Sequence, residues 1–334
     1  MSAVVDGGGS VAENFPCGDN RTRWTHLSCG TLRRLATAAL LSAVALSASA
    51  QETQSLAQER ENPFADLVDL QFFYDANLGV APANNTQQAL TVQPLVPFHL
   101  NSDWIVVTRT ILPFIAQPGP AAGEDWSRGL GDTQFTALLS PARVGIIDWG
   151  VGTVLQLPTA ASQPLGQGKW GAGPAAGIQW TGKQWTLSFL ALNIWSFAGD
   201  SNRPSVNEMQ LQPTVTYNFQ SHPDRYLSFG PTITADWTAS GNERWTVPVS
   251  LAIGQLFKFG HQSVNLQAAA YYNVIAPSGS AQWTLELLAQ FLFPKEQPAQ
   301  GKSNSSSSAP TGLVSVNEAS TLNATPSPAR SSSP

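Results

Sequence analysis

Few residues of this chain could carry covalent or acid–base chemistry, and their positions limit what they could do. Cysteine occurs twice, at Cys17 and Cys29, and three of the four histidines are His99, His222 and His261. A serine esterase needs an imidazole beside its nucleophile, and a carboxylate-based barrel protease needs a histidine near the rim of its site. These three histidines instead stand in short polar connections, so no catalytic residue is assigned and the chain is read as a non-enzyme. Gly129-Leu130-Gly131 and Gly171-Ala172-Gly173 lack the strand-to-helix setting of a phosphate loop and read as strand glycines. With both cysteines upstream of position 31, the rest of the chain offers no disulfide framework, thiol nucleophile or zinc site, and no metal or cofactor is expected.

What remains is a long series of amides and charges recurring at every second position: Asp69, Gln71, Asp75, Gln93, Asp132, Gln134, Asp148, Gln156, Gln179, Glu208, Gln210, Gln212, Asp236, Arg244, Lys258, Gln267, Asn273, Glu286 and Gln290. On one face of a sheet such residues form a polar wall that can hydrogen-bond water or a solute. Arg109 belongs with them, because an arginine facing lipid at mid-bilayer costs about 2–4 kcal/mol. Acidic residues exceed basic ones on this wall, which points to a mild cation preference.

The elements that must carry this wall are strands. From Glu208 to Phe219, Met209, Leu211, Pro213, Val215, Tyr217 and Phe219 alternate with polar residues. The same period of two runs through 226–237, 244–258, 264–274 and 283–293. Segment starts near 206, 225, 244, 263 and 282 recur about every 19 residues, enough for a strand of roughly a dozen residues and a turn. That exceeds the usual five or six of a soluble sheet and suits a tilted membrane-spanning strand. Weaker candidates start near 66, 87, 104, 130, 146, 169 and 185, making twelve. The expected fold is an all-β, antiparallel up-and-down transmembrane barrel of about 12 strands, over 64–294. Connections alternate between short (101–103, 142–145, 181–183, 221–224, 260–262) and longer, as periplasmic turns and outer loops do.

Tryptophan supports this placement, since indoles favour the headgroup level. Trp104, Trp149, Trp180 and Trp185 fall at strand ends beside short turns. Trp170, Trp195, Trp237, Trp245 and Trp283 fall at ends beside longer loops, with Trp126 close by. The balance of 12% charged against 42% hydrophobic residues excludes a disordered chain, and a net charge of -5 excludes a nucleic-acid binder. Seven prolines lie inside proposed strands (Pro94, Pro97, Pro113, Pro174, Pro213, Pro231 and Pro248), against the rule that a closed barrel has no harmless edge for them.

The termini read differently. Residues 31–50 pair Arg33 and Arg34 with an apolar run ending Ala48-Ser49-Ala50, the pattern of a secretory signal peptide cleaved after Ala50. Residues 1–30 then read as a non-native upstream extension and 51–63 as a periplasmic segment. The Ser/Pro-rich stretch 295–334 reads as a disordered tail. After position 50, 13 basic against 19 acidic residues give a charge of -6.

Several motifs in order resemble one family: Asn62-Pro63-Phe64-Ala65-Asp66-Leu67, Thr108-Arg109-Thr110, Gly129-Leu130-Gly131-Asp132, Trp149-Gly150-Val151-Gly152, Leu157-Pro158-Thr159, Gly168-Lys169-Trp170, Trp195-Ser196-Phe197-Ala198-Gly199, Arg244-Trp245-Thr246-Val247-Pro248 and Ala270-Tyr271-Tyr272-Asn273-Val274. They resemble the Gram-negative outer-membrane transporters called MetA-pathway of phenol degradation proteins, some mislabelled neuromedin U. The resemblance implies an outer-membrane barrel giving small molecules, hydrophobic or aromatic ones included, a passive route without cofactor, and it makes the in-strand prolines a family trait. Phe291 and Phe293 resemble the aromatic-ended final strand that barrel-assembly machinery recognises, although here some 40 residues follow it. Expected partners are outer-membrane lipid, that machinery and an unnamed solute, with no nucleic acid. A structural or adhesion barrel stands as the alternative, and a lipase- or protease-type barrel enzyme as a distant third.

Overall fold

The computed structural model describes residues 62–294 except 63, 65, 66, 82, 83, 120–123 and 261. The expected signal peptide, its cleavage point at Ala50, residues 1–61 and the tail from 295 lie outside the described residues.

The described chain is almost entirely strand: β1 (Leu67–Val80), β2 (Asn85–His99), β3 (Trp104–Gln117), β4 (Ser127–Leu130), β5 (Thr133–Pro141), β6 (Ile147–Leu157), β7 (Lys169–Thr181), β8 (Trp185–Gly199), β9 (Asn207–Phe219), β10 (His222–Phe229), β11 (Ile233–Asp236), β12 (Trp245–Phe259), β13 (Gln262–Ile275) and β14 (Trp283–Pro294). All pairings are antiparallel, and apart from two split strands each lies beside its sequence neighbour. β4 and β5 pair successively along β3, and β10 and β11 both lie between β9 and β12. The fourteen segments therefore make twelve staves. β1 closes the ring on β14, with Val68 opposite Phe293 and Leu78 opposite Trp283. Closure satisfies the backbone groups that an open sheet would leave bare at its edges.

Two staves are broken where one continuous strand was expected. Gly131-Asp132 separates β4 from β5, and Gly230-Pro231-Thr232 separates β10 from β11. The stave expected from 130 also starts earlier, at Ser127. Several of the prolines are accommodated by gaps in the ladder. Pairing of β2 with β3 skips from Val92↔Leu112 to Leu95↔Arg109 beside Pro94, and pairing of β7 with β8 skips from Ala172↔Trp195 to Ala175↔Leu192 beside Pro174. Pro213 and Pro231 face one another across the unpaired interval of β9 with β10 and β11.

Directly opposed residues on antiparallel strands share a face, so one inward residue fixes the rest. Arg109 on β3 donates to Gln212 on β9 at 3.2 Å, with four staves between them. That bond can only cross the interior. The other face carries Leu187, Phe189, Leu251, Ile253, Leu285 and Leu287, all exposed. An apolar surface this continuous marks a wall built to meet lipid.

Packing inside the ring constrains individual glycines. The Tyr226 ring, 2% exposed, reaches from β10 over β12 toward β13, and a β-carbon on Gly254 would lie 2.2 Å from it. Gly254→Val should therefore displace Tyr226 and cost about 1–3 kcal/mol, as overpacking does. Urea unfolding in detergent micelles would measure the loss, with Gly260→Ala, at a turn glycine whose β-carbon has open space around it, bearing only the smaller cost of its positive φ.

Candidate functional site

The interior is divided into an apolar half and a polar half. On β2 to β8, Leu95, Ile105, Val107, Leu138, Val154, Leu192 and Ile194 face inward and are buried. They close around Phe64, which precedes the wall and lies inside it, 2% exposed. Room for its ring comes from Gly150 and Gly177, directly opposed on β6 and β7, where a β-carbon would fall 2.6 Å and 3.1 Å from the ring. Asn62 anchors the segment. Its amide donates to Asp148 Oδ2 at 2.7 Å, its Oδ1 accepts from the Phe64 backbone at 2.9 Å, and Asp148 Oδ1 takes the Gly145 N–H at 2.7 Å. Asn62 and Phe64 thus occupy the lumen at its short-turn end as a plug.

The polar half is a connected hydrogen-bond network. Gln93 donates to Gln71 at 2.7 Å, and Gln71 to Asp69 Oδ2 at 3.1 Å. Gln290 donates to the same oxygen at 2.8 Å and accepts from Asn265 at 3.1 Å. Asn265 also donates to the Tyr226 hydroxyl, which donates in turn to Gln267 at 2.9 Å. Asp75 stands opposite Glu286, whose Oε1 accepts from the Tyr271 hydroxyl at 3.1 Å. Toward the longer loops a second belt joins Thr284 to Asn77, Asn77 to Gln87, and Gln87 to Gln117. Between the two halves lies a cavity of about 350 Å³, touched by Phe64, Leu138 and Leu190 on one side and by Asp69, Tyr271 and Glu286 on the other. Arg109 crosses beside it to Gln212.

The loop end is covered as well. The connection from β6 to β7, containing a 3-10 turn at Gln163–Leu165, folds onto the inner side of β4, with Ala161 against Gly129 and Leu165 buried. Asp132 holds it by accepting the backbone N–H of Ala160 at 3.2 Å and of Gln167 at 2.5 Å. Thr159 adds a bond to Thr133 at 2.8 Å. From the β8–β9 loop, Arg203 donates to the carbonyls of Gln163, Gly166 and Gln167.

The expected wall residues separate into three groups. Asp69, Gln71, Gln93, Arg109, Gln212, Gln267, Glu286 and Gln290 line the cavity. Asp75, Gln134, Asp148, Gln156, Gln179, Glu208, Gln210, Lys258 and Asn273 share the inward register without lining it; Gln134 faces Gln156, and Lys258 faces Ser263. Gln210 donates to Glu208 at 3.0 Å, Gln179 to Thr181 at 3.2 Å, and Asn273 to the Ala281 carbonyl at 2.7 Å. Asp236, at the end of β11, also keeps the inward register, opposite Glu208, and accepts from the Thr238 N–H and hydroxyl. Two are corrected. Asp132 sits in a stave break and caps loop backbone, and Arg244 donates to the Ala239 carbonyl with its guanidinium 5.7 Å from the Trp237 ring. Both serve the rim.

Residues missed from sequence include Asn62, Phe64 and the apolar inner half, hidden by the assumption that apolar side chains face lipid. The paired glycines Gly150 and Gly177 were the available signal. The tryptophans of both expected belts lie on the outward register: Trp104 and Trp149 pack edge-to-face at 6.2 Å, and Trp237 and Trp245 at 5.7 Å. His99 ends β2 and His222 begins β10, both at the short-turn end; His261 lies outside the described residues. Phe291 and Phe293 face outward on the closing strand, Phe291 edge-on to Phe72 at 5.9 Å.

No protein-family model matches the chain, and no curated protein matches it in sequence. Solved structures match in shape. The crystal structure of the COG4313 outer membrane channel from Pseudomonas putida F1 aligns with a TM-score of 0.52 at 16% identity, over 69% of this chain and 96% of that one. The NanC porin aligns at 0.43 and 11% identity (68% and 99% covered), and the KdgM porin at 0.38 and 7% (68% and 99%). The first likeness establishes a shared fold, that of an outer-membrane barrel; the other two are too loose to add to it.

Two tests address the closures. Phe64→Ala removes a buried aromatic, a change that costs about 3–5 kcal/mol in a core, and should lower stability by that order in urea unfolding in detergent micelles; Phe98→Ala, at an exposed outward side chain, should not. At the loop end, the Ser278 hydroxyl and N–H bond to Glu243 at 2.7 Å and 2.8 Å, holding its carboxyl below the usual range. A depressed folded value means the clasp is complete above the ordinary carboxylate range and is lost as pH falls through the lowered value. Carboxyl NMR titration should show that low midpoint, and Ser278→Ala should move it upward.

Proposed function

We propose that the protein is an outer-membrane channel passing small molecules, hydrophobic or aromatic ones among them, by passive diffusion. The observation that carries this reading is the cavity inside the closed ring, with one aliphatic and aromatic wall and one hydrogen-bonding wall. Its volume lies in the range of small-molecule pockets, and its walls suit a compact solute with an apolar body and a polar edge. Twelve staves fall between filled eight-stranded barrels and open sixteen-stranded porins. Both closures are non-covalent segments, one seated by Phe64 and Asn62 and the other by Asp132 and Arg203, so each can open without breaking the ring.

The motif resemblance supports membership of the MetA-pathway transporter family, the expected signal peptide supports export to a Gram-negative outer membrane, and the aromatic-ended β14 supports recognition by assembly machinery. No cofactor is assigned. One observation favours the alternative of a structural or adhesion barrel: Phe64 and the Arg109–Gln212 bond fill much of the interior.

Reconstitution separates the two. A channel gives conductance steps in planar bilayers and swelling of proteoliposomes with small aromatic solutes. Silence in both assays, even after Phe64→Ala, would favour the structural barrel. Arg109→Ala should raise the flux severalfold by removing the cross-lumen bond.

A further inference from the structure

One patch of the outer wall departs from the apolar band around it. At the short-turn end, β10 leaves register: His222 pairs with Phe219, and the next pair is Tyr226 with Asn218, so Pro223, Asp224 and Arg225 bulge from the ladder. β12 has no β10 partner beyond Arg225↔Gln255. The bulge leaves a groove of about 710 Å³, walled by Ile253, Phe257, Leu266 and Leu287 with Ala268 among them and Arg225 at its rim. Ala268 lies directly between Ile253 and Leu287 in register, and its methyl leaves a trough between those exposed side chains.

Arg225 at the rim has a carboxylate beside it. Its Nε stands 3.8 Å from Asp224 Oδ2, with the arginine side chain 52% exposed, and Gln255, which also lines the groove, donates to the same oxygen at 2.9 Å. An aliphatic trough ending in adjacent guanidinium and carboxylate groups complements a lipid whose head group carries a phosphate and an ammonium. A solely anionic head group would meet the carboxylate as well. The position also selects a leaflet, because the short-turn end faces the periplasm, whereas lipopolysaccharide occupies the opposite leaflet.

We propose that this groove is a binding site for a zwitterionic glycerophospholipid, of phosphatidylethanolamine type, with an acyl chain over Ala268, its phosphate on Arg225 and its ammonium at Asp224. The guanidinium fork matches phosphate geometry. The assignment rests on the reading that the barrel spans the outer membrane.

The test uses the full-length protein in vesicles of mixed phosphatidylethanolamine and phosphatidylglycerol, extracted in mild detergent and weighed by native mass spectrometry. Wild type should retain about one phosphatidylethanolamine per barrel in preference to phosphatidylglycerol. Arg225→Ala, and independently Ala268→Phe, which fills the trough, should each lower that retention about tenfold, the scale of one charge-assisted contact. Asp224→Asn should shift retention toward phosphatidylglycerol. Retention in the bulk lipid ratio, or Arg225→Ala and Ala268→Phe variants retaining as much as wild type, would overturn the site. Heat-modifiable gel migration of each sample reports the barrel separately: its absence in wild type indicts the membrane reading, and its presence assigns any failure to the groove alone.

Discussion

A peptide group left without a partner in hydrocarbon costs several kcal/mol, and the architecture follows from meeting that demand. Pairing of β1 with β14 along twelve residues satisfies the last open edge. Once the ring is closed, every stave must present alternate residues to lipid and to the interior, so period two in sequence becomes inside and outside in space. Several of the positions where pairing fails lie at prolines: beside Pro94, beside Pro174 and around Pro213 and Pro231.

The interior answers to a different constraint. A ring of twelve staves is too wide for its own side chains to fill and too narrow to stay open as a broad pore. This chain divides the space. Aliphatic side chains of β2 to β8 pack on Phe64, a hydrogen-bonded network of amides and carboxylates lines the other wall with Asp69 Oδ1 left without a partner, and Arg109 spans between. Both halves restrict motion, the first by close packing and the second because a buried polar group that loses its partner is costly.

Much of the fold was legible because a long strand exposed to lipid on one face has an unmistakable alternation. Met209 to Phe219 and Trp283 to Phe293 could be read as staves without further information, and the alternation of short and longer connections gave the direction. The breaks at Gly131-Asp132 and Gly230-Pro231-Thr232 were not legible, because hydropathy continues through them while backbone pairing does not. The inner aliphatic half escaped for the opposite reason: Leu95, Val107 and Leu192 look the same in sequence whether a side chain meets lipid or Phe64. Asp132 and Arg244 were misplaced because parity holds only within a paired strand, and both stand outside one.

Phe64 stands only three residues ahead of Leu67, where β1 and its seam with β14 begin. Its seat at Gly150 and Gly177, by contrast, lies near the middle of the chain. The occupant of that seat is therefore tethered within a few residues of the seam between the first and last strands, so parting β1 from β14 also pulls on Phe64, and the closed wall and the filled lumen depend on one another.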